Sequence, residues 1–121
     1  MTTLTPIELV RFLQRRRFDL SSEKHLQEEI AQAFDADGIA YEREHRLSAR
    51  DIPDFIVGDG IAVECKMRNK SSKTAIYKQL ERYTGHDQVR SIVLASNVSM
   101  GLPSEINGKP LYAASLSAGW L

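Results

Sequence analysis

Gly58-Asp59-Gly60 separates two short apolar runs, Asp54-Phe55-Ile56-Val57 and Ile61-Ala62-Val63-Glu64-Cys65-Lys66. A glycine-rich turn between two such runs predicts a β-hairpin with a three-residue loop. With the loop at 58–60, Val57 pairs with Ile61, and the register then sets Asp54 opposite Glu64. Opposed residues on antiparallel strands share a face, with Cβ atoms about 4.5–5.5 Å apart. Lys66 follows Glu64 by two residues and returns to that same face. Two carboxylates facing each other repel unless something positive lies between them. Two acids and an ammonium at the end of a hairpin therefore suit a divalent cation and a phosphate.

The rest of the chain predicts helices around this hairpin. Thr5-Pro6-Ile7-Glu8 carries an N-cap, a first-turn proline and a first-turn acid, and predicts a helix over 6–17 ending in Arg15-Arg16-Arg17. Ser21-Ser22 caps a second helix, from Glu23 to about Ala36, with Gly38 as its stop. Leu26, Ile30, Ala33 and Phe34 form its apolar stripe. At about 100° per residue, Glu23 falls near the middle of that stripe, Gln27 on its flank and Glu28 nearly opposite. An acid on the buried side is costly without a partner, so Glu23 is the helix acid to examine. Residues 39–47 predict an edge strand, 72–86 a helix with Ala75, Ile76, Leu80 and Tyr83 on one face, 91–96 a buried strand, and 111–116 a last strand after an Asn107-Gly108 turn. The order α–α–β–β–β–α–β–β gives an α/β fold of the α+β mixed-sheet type, with helices on both faces.

At 121 residues the chain is expected to be one domain, 1–121. The absence of a signal-like start or a long apolar run predicts a cytoplasmic protein without a membrane partner. A single cysteine excludes an internal disulfide and any cysteine-based metal cluster. Net charge is zero, but residues 1–59 hold eight Lys/Arg against twelve Asp/Glu, and residues 60–121 eight against four. The basic excess gathers in Lys66, Arg68, Lys70, Lys73, Lys78 and Arg82, beside the opposed acids, as a surface that could follow a phosphate backbone.

Pro53-Asp54…Glu64-Cys65-Lys66 resembles the signature of the PD-(D/E)XK nuclease superfamily. Gln79-Leu80-Glu81-Arg82-Tyr83 looks like the QxxxY motif of its RecB-like branch. Ser22 to Gln27, with Ile30 and Phe34, is similar to the opening helix of VRR-NUC and Holliday-junction-resolvase-like members. The resemblance covers about 22–97 and implies a restriction-endonuclease-like αβββαβ core, here with an extra N-terminal helix and a C-terminal strand. It implies a catalytic set of Asp54, Glu64, Lys66, Glu23 and Gln79. Mg²⁺ or Mn²⁺ would be held by Asp54, Glu64, the Cys65 carbonyl and Glu23, with Asp51 a lesser second-metal candidate. Gln27, Arg68, Lys70, Lys73, Lys78, Arg82 and Tyr83 would contact DNA.

The expected activity is Mg²⁺- or Mn²⁺-dependent hydrolysis of DNA phosphodiester bonds. The alternatives are a catalytically silent DNA- or partner-binding module on the same fold, and a dimeric, structure-selective junction resolvase. A homodimer through an exposed apolar tail, Leu116 to Leu121 with Trp120, or a larger DNA-processing partner would complete such an assembly. His25, His45 and His86 show no ligand spacing and are expected at the surface without a role.

Overall fold

In the computed structural model, which describes residues 3–67 and 72–118, the described residues form three helices and a six-stranded mixed sheet, with a separate two-stranded pair. In chain order the elements are α1 (Pro6–Gln14), β1 (Arg17–Phe18), α2 (Glu23–Ala36), β2 (Tyr41–Arg43), β3 (Phe55–Val57), β4 (Ile61–Lys66), α3 (Lys73–Thr84), β5 (Ser91–Ser96), β6 (Glu105–Ile106), β7 (Lys109–Ser115) and β8 (Ser117–Ala118). The large sheet runs β2-β3-β4-β5-β7-β6. The pairs β2–β3, β3–β4 and β6–β7 are antiparallel, whereas β4, β5 and β7 run parallel. A parallel step needs a crossover, and α3 makes the one from β4 to β5.

The hairpin has the expected register: Val57 pairs with Ile61, Ile56 with Ala62 and Phe55 with Val63. Gly58 and Gly60 take φ values of +54° and +78°, which side chains with a Cβ rarely adopt. A methyl group on Gly60 would also overlap the Gln88 carbonyl. Gly60→Ala should therefore destabilise the fold by about 2 kcal/mol, read as a lower urea midpoint at unchanged slope.

Alternation along β3 and β4 separates the two core layers. Phe55, Val57, Val63 and Cys65 pack under α1 and α2, where Phe34 stacks on Phe12 and meets Phe55 edge-on. Ala62, Ile92 and Leu94 pack under α3 with Ile76, Leu80 and Tyr83. Helices α1 and α2 start where their caps predict, and Ser72 caps α3. Thr5 and Glu8 close a capping box, the Ser22 hydroxyl accepts from the His25 N–H, and the Ser72 hydroxyl accepts from the Ala75 N–H.

Four local expectations are corrected. Helix α1 stops at Gln14, and Arg17–Phe18 instead forms β1, paired in parallel with β8. The predicted strand over 39–47 shrinks to Tyr41–Arg43, because Glu44 turns to φ +49° and the Leu47 N–H bonds to the Asp51 carbonyl, closing a loop. The last strand begins earlier, at Lys109, and pairs with β6 across Asn107-Gly108, whose φ values of +51° and +79° suit a two-residue hairpin turn. Leu116 is buried and residues 117–118 pair with β1, so the start of the tail is not an exposed apolar surface. Trp120 lies outside the described residues. Among the described residues no helix is long and apolar enough to cross a membrane.

Candidate active site

Continuing the hairpin register one step past Phe55 and Val63 brings Asp54 opposite Glu64 at the open end of β3 and β4. The two acids are tied together: the Asp54 N–H donates to Glu64 Oε1 at 3.4 Å, and the Cys65 N–H donates to Asp54 Oδ2 at 2.7 Å. A residue in an extended strand projects its N–H and C=O to the same edge. The Cys65 carbonyl therefore faces the Asp54 side, while its side chain is buried in the layer under α1 and α2. Burial pushes the Cys65 thiol well above its ordinary pKa, so it is a packed group rather than a nucleophile.

Lys66 closes the triad, with Nζ 3.4 Å from Glu64 Oε2. Its side chain is 13% exposed and that of Glu64 6%, so this pair is largely out of water. Burial, and then the nearby Asp54 charge, push the Glu64 carboxyl up to about 7 despite the Lys66 ammonium. Asp54 is raised too, chiefly by burial, with Glu23 adding to the repulsion. Glu23, at the first turn of α2, reaches across to the end of β4, where its Oε2 accepts from the Met67 N–H at 3.1 Å.

The crossover helix supplies the remaining support. Tyr83 is buried, and its hydroxyl donates to Glu64 Oε1 at 2.9 Å while accepting from Gln79 Nε2 at 3.0 Å. Burial and the Glu64 charge both raise the Tyr83 hydroxyl, which keeps it a donor. Neither a DNA phosphate nor Lys66 is the group that Tyr83 meets here: it lies beneath Glu64 and fixes that carboxylate. Tyr83→Phe removes a buried bond to a charged group, worth about 1.5–3 kcal/mol. Any Mn²⁺ binding that uses Glu64 should weaken by roughly tenfold at neutral pH and its pH midpoint should move upward, both measurable by titration calorimetry.

The basic surface is only partly as expected. Lys73 and Lys78 are exposed on α3, and Gln27 is half-buried on α2. Arg68 and Lys70 lie outside the described residues. Arg82 is committed elsewhere: its Nε donates to Asp51 Oδ1 at 2.9 Å, and His86 Nε2 lies 2.9 Å from Asp51 Oδ2. Burial alone would raise the Asp51 carboxyl, but the bonds from His86 and Arg82 outweigh it and hold it below its usual value. Asp51 thus anchors the loop before Asp54 to the end of α3 and is not presented to a second metal. His86 is correspondingly a buried-side partner rather than a plain surface residue. No spacing signal in the sequence points to this trio, since Asp51 and His86 are brought together only by the fold. Glu28 pairs with Arg43 at 2.8 Å on the outer side of α2, away from the acids.

Among the described residues no three His, Cys, Asp or Glu side chains converge closely enough to hold a metal by themselves. A two-carboxylate set still fits Mg²⁺, which keeps several waters and is commonly held by one or two carboxylates together with substrate phosphate. The elevated Asp54 and Glu64 carboxyls mark a place where a cation would relieve repulsion. Compared with protein-family models, curated proteins and solved structures, the chain has no match.

Proposed function

We propose that this chain is a metal-dependent nuclease of the PD-(D/E)XK type, on a restriction-endonuclease-like core, hydrolysing DNA phosphodiester bonds. The observation that carries the reading is the meeting of Asp54, Glu64 and Lys66 on one sheet face, with the last two held almost out of water. A surface charge pair would leave its ammonium solvated, and an ammonium so placed is suited to a charged substrate.

A bound Mg²⁺ or Mn²⁺ would supply charge to polarise the scissile phosphate and acidify water. Asp54, Glu64 and the Cys65 carbonyl are the groups that would hold it, with Glu23 assisting through water. Lys66 orients the attacking water and neutralises charge that develops on the phosphoryl oxygens. Tyr83, steadied by Gln79, keeps Glu64 in the one orientation that serves both the cation and Lys66. Lys73 and Lys78 lie on the helix beside the site and draw in the phosphate backbone.

The test is incubation of the purified protein with single-stranded, duplex and branched DNA in Mg²⁺ or Mn²⁺. Cleavage of at least one substrate, abolished by chelation, is expected. Binding of DNA without any cleavage in either metal would favour the silent module instead.

A further inference from the structure

The parallel register carries the site sideways across the sheet. Glu64, Leu94 and Ala113 stand in one row over β4, β5 and β7, and Lys66, Ser96 and Ser115 in the next. Paired residues of neighbouring parallel strands point to the same face, so both rows lie on the α3 side, with strands about 4.8 Å apart. Helix α3 covers the β4 part of this face, through Tyr83 on Glu64. Ala113 and Ser115 on β7 are exposed. Over that end the chain leaving β5 folds back as a loop, 97–104, and encloses a cavity of about 310 Å³ against β5 and β7.

The chemistry of the lining selects an occupant. Met100, Leu102 and Leu111 offer apolar surface, and Ser96, Ser104 and Ser115 bring hydroxyls to the same space. A flat ligand with apolar faces and hydrogen-bonding edges matches that mixture. Ala113 and Ser115 are small, which leaves the floor open. Cations stand at the margin: Lys66 lies in the catalytic row, and the Lys73 ammonium lies 3.7 Å from where a Cβ on Gly101 would sit. From Lys66 to Ser115 is two strand spacings, about 10 Å, within reach of a nucleotide whose base has left the stack. A base held in duplex must first unpair and unstack to reach it, which costs a few kcal/mol.

We propose that this shelf holds the base of an unpaired nucleotide adjoining the scissile phosphate. The substrate is then single-stranded DNA, or the single-stranded part of a flap or frayed end, rather than continuous duplex. This inference rests on the nuclease reading for the position of the phosphate.

The test pairs kinetics with a map of where the base sits. Wild-type protein and Ala113→Trp are assayed in Mg²⁺ on a single-stranded oligonucleotide and its blunt duplex. An exposed strand position accepts an aromatic residue readily. In parallel, the wild-type protein is photo-crosslinked to a single strand bearing thiothymidine, and the modified peptide is identified by mass spectrometry. The expected results are a kcat/KM at least tenfold higher on the single strand than on the duplex, at least a tenfold loss of it in Ala113→Trp, and crosslinks within 97–104 or 111–115. Crosslinks confined to other segments, or duplex cut as readily as single strand, overturn the inference and leave the nuclease reading standing. Crosslinks on the shelf with no cleavage of any DNA overturn the nuclease reading and, with it, the placement of the base beside a scissile phosphate.

Discussion

Lys66→Met protein should cleave DNA at least about a hundredfold more slowly than the wild type in saturating Mg²⁺, while remaining folded. The magnitude follows from the two tasks assigned to Lys66. Positioned proton transfer contributes about 10²–10⁴-fold and a desolvated charge at a developing oxyanion a comparable amount. Methionine keeps the length of the stem and its packing but removes the ammonium 3.4 Å from Glu64. An uncompensated buried carboxylate would ordinarily threaten the fold. Here Glu64 already titrates at about 7, and loss of the lysine raises it further, so the carboxyl takes up a proton instead of remaining as a buried charge. Near-ultraviolet circular dichroism should thus be unchanged, and the loss should fall on kcat. Wild-type turnover in folded Lys66→Met protein would remove lysine from the mechanism.

The metal-free protein should be more stable at pH 5 than at pH 8, and Mn²⁺ should offset the trend. The Glu64 carboxyl is raised to about 7 from an ordinary 4.5, chiefly by burial and next by Asp54. A raised carboxyl binds its proton more tightly in the folded state than in the unfolded one. Its contribution is therefore fully present below about pH 4.5 and is lost as pH rises through about 7. At 1.36 kcal/mol per unit the loss is on the order of 3 kcal/mol, or roughly 10 °C in Tm for a domain of this size. Asp54 is raised in the same direction and steepens the trend. A divalent cation held as proposed would favour the ionised pair, so the rise in Tm on adding Mn²⁺ should be larger at pH 8 than at pH 6. Thermal melts in chelator and in Mn²⁺ at several pH values decide the matter. A flat Tm across that range in chelator would show that the Glu64 carboxyl is not raised in the folded protein.

Much of the candidate site's geometry was legible in the sequence because it is local. The loop at 58–60 fixed which residues oppose each other within a dozen positions, and helical phase alone pointed Glu23 inward and Glu28 outward. Gln79 and Tyr83, one turn apart, were placed correctly on α3, but their target was not: a sequence does not say how deep a tyrosine sits. Arg82 read as a free cation because its partner, Asp51, comes from a loop with no periodic pattern. The β1–β8 pair was invisible for a related reason, since two-residue strands at distant positions carry no alternation. The β6–β7 hairpin does carry a strong signal in Asn107-Gly108, but Glu105–Ile106 is too short to show alternation on its first arm.

The division of the sheet into an antiparallel hairpin and a parallel half has a consequence for the order of folding. The hairpin closes a three-residue loop, which is entropically cheap and fast. The steps from β4 to β5 and from β5 to β7 must wait for long segments to cross, and non-local pairing of that kind is slow. Asp54 and Glu64 therefore meet early, while Tyr83 on α3 and the Ser96–Ser115 row arrive only as the domain completes. Until then the two acids face each other without their full setting, so a chain still folding holds the pair of carboxylates but not the finished cleft.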